Sequence, residues 1–416
     1  MNDDFFLKKY LAEKKILKYN LKGYDLDQIM ALDLISEVYN IDSFKLKTLR
    51  FCFLSYKLDA LSNANPNLKL FSIGKYPRKD YYEILNYVSS QVSDFFLLDF
   101  NKIKLKISIN SFNLFFAFKH VFKNSTLSFK SKLFLSSQLS FYLNIITELE
   151  KINPVYSKYC AFSSVHQLEA ILTCFFKKKK TLTYSLQHGV YYVFKKNIPL
   201  DLIAYENFIS DNHFCWGQYS KDEFIKYGIA EDSLLIGGYP RHYTVKAIPS
   251  ILDGKNCVVL LARYSLEKTN MKLLELLKRF SKEKNIKISL KLHPSLKHSD
   301  YMKICESQNW ELVDELFTIS DLFTKCDFGF SIAVNTAAYY ESYMNYVPSL
   351  RFNDETFEDA LGVNNDTFNT HENLKLAYNN IPFDNEMKLK EYFETSNIKL
   401  KYIMGLGINK YSILNS

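Results

Sequence analysis

The chain has 416 residues, of which 47% are hydrophobic, 16% aromatic and 24% charged, and its formal net charge is +8 at pH 7. This composition excludes a disordered chain and provides apolar material for two or three domains, of which two is the simpler expectation. No stretch approaches the roughly 18 uninterrupted apolar residues of a membrane span, and acids and lysines are mixed at the start of the chain. We therefore expect a cytoplasmic protein.

The seven cysteines are scattered singly, which is typical of reduced core residues and not of a zinc site or a disulfide framework. No module signature accompanies the positive charge, which argues against a nucleic-acid partner. A basic face suits a phosphorylated substrate or, through peripheral association at the inner face of the plasma membrane, an anionic bilayer.

The first 150 residues carry little motif content. Their periodicity is mostly helical, with short strand candidates at residues 69–73 and 95–100. This interval predicts part of a folded domain but indicates no function.

Residues 158–186 predict a β-α-β unit. A short apolar run ends at Ser163 and Ser164, which we expect to cap the amphipathic helix that follows. Strand-forming residues then alternate over 181–186. Because parallel strands bring their carboxyl ends to one edge of the sheet, the two serines and whatever follows residue 186 are expected at the same edge.

The tripeptide Gln187-His188-Gly189 directly follows that second strand. In α/β proteins, ligands bind outside the carboxyl ends of the strands, and a histidine with an ordinary pKa of about 6.5 suits proton transfer. Gly189 is expected to permit a backbone geometry that other residues resist. The structural alternative is a histidine that merely ends a strand.

A break in the pattern near Pro240 predicts the end of the first domain, with a boundary between residues 240 and 253. Arg241 follows the break and either lines a cleft or lies in a linker. Strands and helices then alternate, which predicts a parallel sheet covered on both faces. The predicted strands are 257–261, 287–292, one near 311, and 328–331, and the predicted helices are 268–282, one near 301, 319–325 and 335–346.

Two later segments place polar residues after predicted strands. His293 and Pro294 follow one strand, and in the segment 327–352 Ser331 is expected at a strand terminus, with Asn335 and Thr336 at a helix start. The N–H groups and the dipole at a helix N-terminus favour a phosphate.

With these residues in place, the segment 161–352 resembles the GT-B glycosyltransferases of bacterial surface polysaccharides. The similar enzymes are those of capsule and lipopolysaccharide synthesis, the sialyl- and Kdo-transferases with their His-Pro motif, and the CDP-glycerol glycerophosphotransferases. The resemblance implies an α/β, GT-B fold in which two Rossmann-like domains face each other across a cleft. We expect an N-terminal acceptor-side domain at 1–245, a C-terminal nucleotide-sugar domain at 246–385, and a tail at 386–416 that packs back on the first domain.

The resemblance also implies roles for individual residues. His188 is expected to act as the catalytic base, and Glu341 to bind the ribose of the donor nucleotide. The candidates for binding the donor phosphates are His293, Pro294, Ser295, Lys297, Ser331, Asn335 and Thr336, and further cleft candidates are Gln187, Gly189, Arg241 and Arg263. Ser295 and Lys297 stand where similar enzymes often carry an arginine, which leaves the donor class open.

The implied reaction transfers a sugar from a CMP- or UDP-linked donor to a glycan or lipid-linked glycan acceptor, with no metal and no other cofactor. Asp25 and Asp27 form an acid-x-acid pair like that of metal-dependent GT-A transferases, but no nucleotide-binding strand precedes them, and we expect a helix cap. Three alternatives stay open. They are a sugar-nucleotide 2-epimerase, whose Gly-Thr-Arg-Pro-type loop this chain lacks near its start, a CDP-glycerol or ribitol-type phosphotransferase, and a catalytically idle GT-B-like scaffold.

Overall fold

The computed structural model describes residues 3–39, 46–63, 65–74, 78–163, 165–190, 199–243, 247–334, 336–354 and 362–415. The strands of these residues are β1 Asn20–Leu21, β2 Tyr24–Asp25, β3 Leu54–Tyr56, β4 Lys69–Ile73, β5 Phe95–Asp99, β6 Leu105–Ile107, β7 Lys158–Ala161, β8 Leu182–Leu186, β9 Asn212–Cys215, β10 Leu234–Ile236, β11 Asn256–Leu260, β12 Lys287–Lys291, β13 Glu311–Leu312, β14 Phe330–Val334, β15 Ser349–Phe352 and β16 Thr367–Phe368.

The α-helices of the same residues are α1 Asp3–Ile16, α2 Leu26–Ile29, α3 Ala31–Val38, α4 Lys79–Ser90, α5 Ser111–Asn124, α6 Phe129–Ile152, α7 Gln167–Lys178, α8 Pro199–Glu206, α9 Gln218–Lys226, α10 Glu267–Lys284, α11 His298–Gln308, α12 Ile319–Lys325, α13 Ala337–Met344, α14 His371–Asn379 and α15 Glu386–Met404. None of them combines the length and the apolar character needed to cross a bilayer.

The first large sheet has the order β10-β9-β8-β7-β4-β5, and all its neighbouring strands are parallel. Its central strands are buried on both faces. Tyr159 and Ala161 of β7 belong to one apolar core and Cys160 to another, as the alternation of side chains along a strand requires. The chain runs from β4 outward to β5 and returns to β7 on the other side of β4, so the strand order reverses between β4 and β7.

The second large sheet has the order β13-β12-β11-β14-β15-β16 and is also parallel throughout. This is the Rossmann order, which reverses between β11 and β14. Val258 and Val259 of β11 again belong to different cores. The predicted α/β class with two Rossmann-like domains is confirmed, because each sheet is a separate, doubly covered parallel sheet.

Helices α5 and α6 pack against each other beside the first sheet. The Asn110 side chain caps α5 by accepting the N–H groups of Phe112 and Asn113, and Ser128 caps α6 by accepting the N–H of Ser131. Helix α6 ends at Asn153, which adopts the left-handed conformation typical of a helix end. The caps fix where each helix starts.

The C-terminal residues connect the two domains. Helix α15 belongs to an apolar core that also includes side chains from both sheets. After the helix, the Lys410 N–H donates to the carbonyl of Gly237 (3.1 Å), and the Tyr411 hydroxyl donates to that of Gly238 (2.7 Å). Gly238 has a φ of +95°, and any Cβ there would collide with the carbonyl of Ile408. Residues 405–415 thus contact the first domain, while the domain limits stated above stay a prediction.

Two local predictions are wrong. Helix α7 begins at Gln167 with His166 at its N-cap, so Ser163 does not cap it. Strand β14 covers Phe330–Val334, so Ser331 lies near its start and not at its carboxyl end. Ser164 and Asn335 lie outside the described residues.

Asp25 does occupy the N-cap position of α2, as expected, but its side chain does not cap the helix. One of its carboxylate oxygens instead accepts a hydrogen bond from the Asn20 amide (2.8 Å).

Candidate active site

The two reversals of strand order mark where a ligand is expected, because open α/β sheets bind ligands outside the carboxyl ends of the strands at such points. At the first reversal, Gly74 follows β4, and the segment 162–166 follows β7. At the second, Arg263 follows β11 and Thr336 follows β14. His293 follows the neighbouring strand β12.

The loop after β8 is held by Gln187, whose side chain is buried. Its amide N–H groups donate to the Gly189 carbonyl (2.7 Å) and to the Ser220 hydroxyl (2.9 Å), and its side-chain oxygen accepts the N–H of Trp216 (2.6 Å). Gln187 therefore fixes the loop and does not face a ligand. Gly189 has no positive φ, and within the described residues a Cβ on it would meet no atom closer than 4 Å, so the predicted glycine-specific backbone geometry is wrong.

His188 lies among other rings at the carboxyl edge, where it was predicted. The ring centres of Tyr81 and Phe162 each lie 5.6 Å from that of His188, and the His166 ring lies 6.4 Å away. Burial, and next the charges of His166 and Arg78, lower the pKa of His188 to about 3. His188 is therefore neutral at pH 7 and a weak proton acceptor, whereas a general base works best with a pKa near the working pH.

A second histidine, which the sequence analysis missed, lies beside it. His166 Nδ1 is 2.9 Å from Oε2 of Glu169, whose side chain is fully buried. The other oxygen of Glu169 accepts the N–H groups of Phe162 (2.7 Å) and Ser163 (3.3 Å). A Cβ on Gly74 would lie 3.2 Å from both His166 Nδ1 and Glu169 Oε2, so the pair packs directly on the end of β4.

This arrangement suits proton transfer. The carboxylate of Glu169 accepts a hydrogen bond from a proton on Nδ1 of His166, which leaves Nε2 as the acceptor. The His166 side chain is 19% exposed, so it can meet a substrate. The sequence signal was the His-x-x-Glu spacing, which places both side chains on one side of a helix start.

His293, which follows β12 of the second sheet, differs from His166 in that its Nδ1 accepts a hydrogen bond. The Ser295 N–H donates to Nδ1 of His293 (3.1 Å), so Nε2 carries the proton and can only donate. The Ser295 hydroxyl lies 2.9 Å from the same Nδ1 and accepts the N–H of Tyr264 (2.9 Å), which makes Ser295 a positioning residue for His293. Burial, and next the charge of Arg78, lower the pKa of His293 to about 4.

Arg78 and Arg263 influence the histidines that follow strands of both large sheets. Arg78 precedes α4 and donates from Nε (3.0 Å) and Nη2 (2.6 Å) to the carboxylate of Asp80. The charges of Arg78 and Arg263 both lower the pKa values of His188 and His293. His188 and His293, which follow strands of different sheets, are therefore influenced by the same two guanidinium groups. Arg263 was predicted as a cleft residue, whereas Arg78 was missed because it lies in the segment that showed no motif.

The other residues predicted to bind the donor phosphates differ in their burial and in their contacts. Ser331 is fully buried, and its hydroxyl contacts those of Ser342 (2.8 Å) and Ser349 (2.6 Å), so it packs strands β14 and β15 against α13. Thr336 is the N-cap of α13, as predicted, and accepts the N–H of Ala338 (3.4 Å). Pro294 is exposed, and exposed Lys297 precedes α11.

Glu341 is buried between the domains. Its Oε1 accepts hydrogen bonds from the Tyr239 hydroxyl (2.7 Å) and from Nη1 of Arg241 (3.1 Å), and Nη2 of Arg241 lies 3.7 Å from Asp80 of the first domain. Arg241 thus links Asp80, in the first turn of α4, to Glu341 on α13. The contact of Glu341 with a ribose stays a prediction.

Across the part of the chain that the structure describes, no three His, Cys, Asp or Glu side chains converge as metal ligands would. No family model and no curated protein matches the chain. Similar solved structures include Anabaena Alr3699/HepE with UDP-glucose (11% identity over 83% of this chain and 98% of that one, TM-score 0.49) and S. aureus MnaA with UDP (12%, 83% and 94%, TM-score 0.48). S. aureus TarM is 12% identical over 64% of this chain, with a TM-score of 0.42, and the match covers 56% of TarM, about half its length.

These likenesses are too distant to carry an argument about activity. The chain's own two six-stranded parallel sheets define an α/β protein of the GT-B fold class.

Proposed function

We propose that this protein is a glycosyltransferase that moves a sugar from a CMP- or UDP-linked donor to a bacterial surface glycan or its lipid-linked precursor. The observation that carries the proposal is the contrast between the two edges of the cleft. One edge holds a proton-accepting pair, His166 and Glu169, and the other holds a hydrogen-bond donor, His293, with Arg78 and Arg263 nearby.

A transfer reaction uses both properties. Negative charge builds on the departing nucleotide phosphate, and fixed donors and guanidinium groups stabilise it without reorganisation. In an inverting reaction, a base also removes the proton of the acceptor hydroxyl as it attacks the sugar. This division of roles needs no metal ion, and activity that persists in EDTA is the expected result.

The base is either His188, as the sequence analysis predicts, or His166. Three features favour His166. Its Nδ1 faces a buried carboxylate, its Nε2 is left to accept a proton, and its ring is partly exposed. His188, with a pKa of about 3, is better suited to contact a substrate as a neutral ring.

Nucleotide binding tests the proposal first. Addition of UDP, CMP or CDP at a hundred times its Kd should stabilise the protein by about 2.7 kcal/mol, which a thermal-shift assay detects. A protein that responds to none of them is a scaffold and not an enzyme of this class.

Product analysis then separates the three enzymatic alternatives. A transferase releases free nucleotide only when an acceptor glycan is present. A 2-epimerase converts the sugar nucleotide into its isomer without an acceptor, and a glycerophosphotransferase releases CMP from CDP-glycerol while the glycerol phosphate unit is transferred to the acceptor. Either of the last two results would replace the proposal.

A further inference from the structure

One segment of the chain has a large excess of basic over acidic residues. Between Asp99 and Glu148 there is no Asp or Glu, and the segment contains seven lysines. They are Lys102, Lys104, Lys106, Lys119, Lys123, Lys130 and Lys132. Since the whole chain has a net charge of +8, this segment accounts for most of it.

The same segment exposes large apolar side chains. Their exposed fractions are 77% for Ile107, 75% for Ile109, 69% for Phe112, 67% for Phe115 and 68% for Phe129. Single exposed apolar residues are ordinary, but several bulky ones in one short segment mark an interaction surface. We call these five residues, with Lys119 and Lys123, the aromatic–lysine face.

The local structure explains why these residues point outward together. Ile107 ends β6, and Ile109 is two residues further along, on the same side of an extended chain. On α5, the opposite side is buried and contains Asn113, Ala117 and Val121. The core therefore holds α5 by its inner side and leaves the outer side open.

The outer side of α5 is continuous along the helix. Phe112, Phe115, Lys119 and Lys123 follow one another at helical spacings of three and four residues. The Lys119 ammonium lies 5.7 Å from the centre of the Phe115 ring. At the far end, the ring of Phe122 contacts that of Phe129 (5.6 Å), which extends the face onto the start of α6.

We propose that the aromatic–lysine face docks the protein on an anionic lipid bilayer. Phe and Ile side chains gain by entering the boundary between headgroups and acyl chains, and lysines beside them gain by approaching anionic headgroups. The lysines favour an anionic bilayer over a second copy of this chain as the partner of this face, because a second copy would place its own lysines against the first set. The inference is independent of the proposed transferase activity.

Vesicle co-sedimentation tests it with the full chain. The wild type should bind vesicles of equal parts phosphatidylglycerol and phosphatidylcholine, should bind pure phosphatidylcholine far less, and should dissociate from the anionic vesicles as salt is raised. The double variants F112S/F115S and K119E/K123E should each bind the anionic vesicles at least about tenfold more weakly.

Matched controls come from α15, which also exposes apolar residues and lysines. The variants M387S/I398S and K388E/K390E change the same residue types at exposed positions and should bind like the wild type. Circular dichroism and an unchanged thermal unfolding midpoint would show that the α5 variants are folded. Equal loss in the α15 controls would overturn the proposal, as would a wild type that ignores anionic vesicles.

A third outcome identifies a different occupant. If the lipid-free wild type sediments as a dimer and F112S/F115S sediments as a monomer, then a second copy covers the face. That result would also overturn the membrane proposal.

Discussion

The two edges of the cleft carry histidines that are held in opposite senses. On the first, a buried carboxylate faces Nδ1 of His166, so the outer nitrogen accepts protons. On the second, a backbone N–H occupies Nδ1 of His293, so its outer nitrogen donates. The residue type is the same, and the group behind the ring decides its chemistry. A histidine in a sequence therefore does not by itself show whether its outer nitrogen accepts or donates a proton.

The sharpest test of this contrast is His166→Ala. Loss of a general base should lower kcat by about 10² to 10⁴-fold while the affinity for the nucleotide stays unchanged, because the base acts on the acceptor proton in the transition state. Steady-state kinetics with calorimetric nucleotide binding measure both. His242→Ala, at an exposed histidine, is the control.

His188→Ala belongs in the same experiment, since the sequence analysis assigns the base to His188. A larger loss of kcat in His188→Ala than in His166→Ala would return that role to His188. Glu169→Gln should also lower kcat, because its amide N–H can donate to Nδ1 of His166 and leave the proton on Nε2, where a free acceptor is needed.

His293→Ala is expected to have the next largest effect. Removal of one fixed donor to a developing negative charge costs roughly 10² to 10³-fold in kcat. The matched control is His298→Ala, at an exposed histidine five residues further along the same loop and helix start. Unchanged kinetics in His293→Ala would make its contact with Ser295 purely structural.

A smaller effect is expected from the arginines shared by the two edges. Arg78→Gln and Arg263→Gln should each weaken the binding of UDP or CMP by about tenfold, because each removes a charge-assisted interaction with phosphate. Isothermal titration calorimetry at two salt concentrations measures the loss. Arg279→Gln, on an exposed arginine that pairs with Glu283, should bind nucleotide as the wild type does, and a wild-type affinity in both cleft variants would place the phosphates elsewhere.

Alternating strands and helices predicted the second parallel sheet and the β-α-β unit that ends just before His188, because hydrophobic periodicity and the edge rule for parallel strands depend on local sequence, whereas the first sheet as a whole was expected only from the family resemblance. Local sequence does not show which strands become neighbours. Gly74 and the His166–Glu169 pair meet only because β4 lies next to β7, although their residues are about ninety positions apart. Ser331 was placed wrongly for a related reason, since only the sheet register shows that its hydroxyl faces Ser349 on the next strand.

The histidines also predict a difference in acid stability between the two domains. His188 directly follows β8 and His213 lies in β9 of the first sheet, and burial, the largest cause for both, lowers each pKa to about 3. Next to the second sheet, the pKa of His293, in the loop after β12, is lowered to about 4. Below a pH of about 6.5, which is the pKa of histidine in the unfolded chain, the unfolded chain binds protons whereas these rings stay neutral in the native protein. The contribution of the rings to the free energy of unfolding is therefore fully present above that pH and falls as the pH drops towards 3 or 4.

Each such histidine contributes a slope of at most about 1.4 kcal/mol per pH unit in that window. Hydrogen exchange at pH 7 and pH 5 should therefore show the amides of β8 and β9 losing more protection than those of β11 and β12, after correction for the intrinsic exchange rate. The buried His213 accounts for part of the slope, and His213→Asn should flatten the loss in β8 and β9 while leaving β11 and β12 unchanged. Equal losses in both sheets would mean that the two domains unfold as one unit through the shared core that α15 completes.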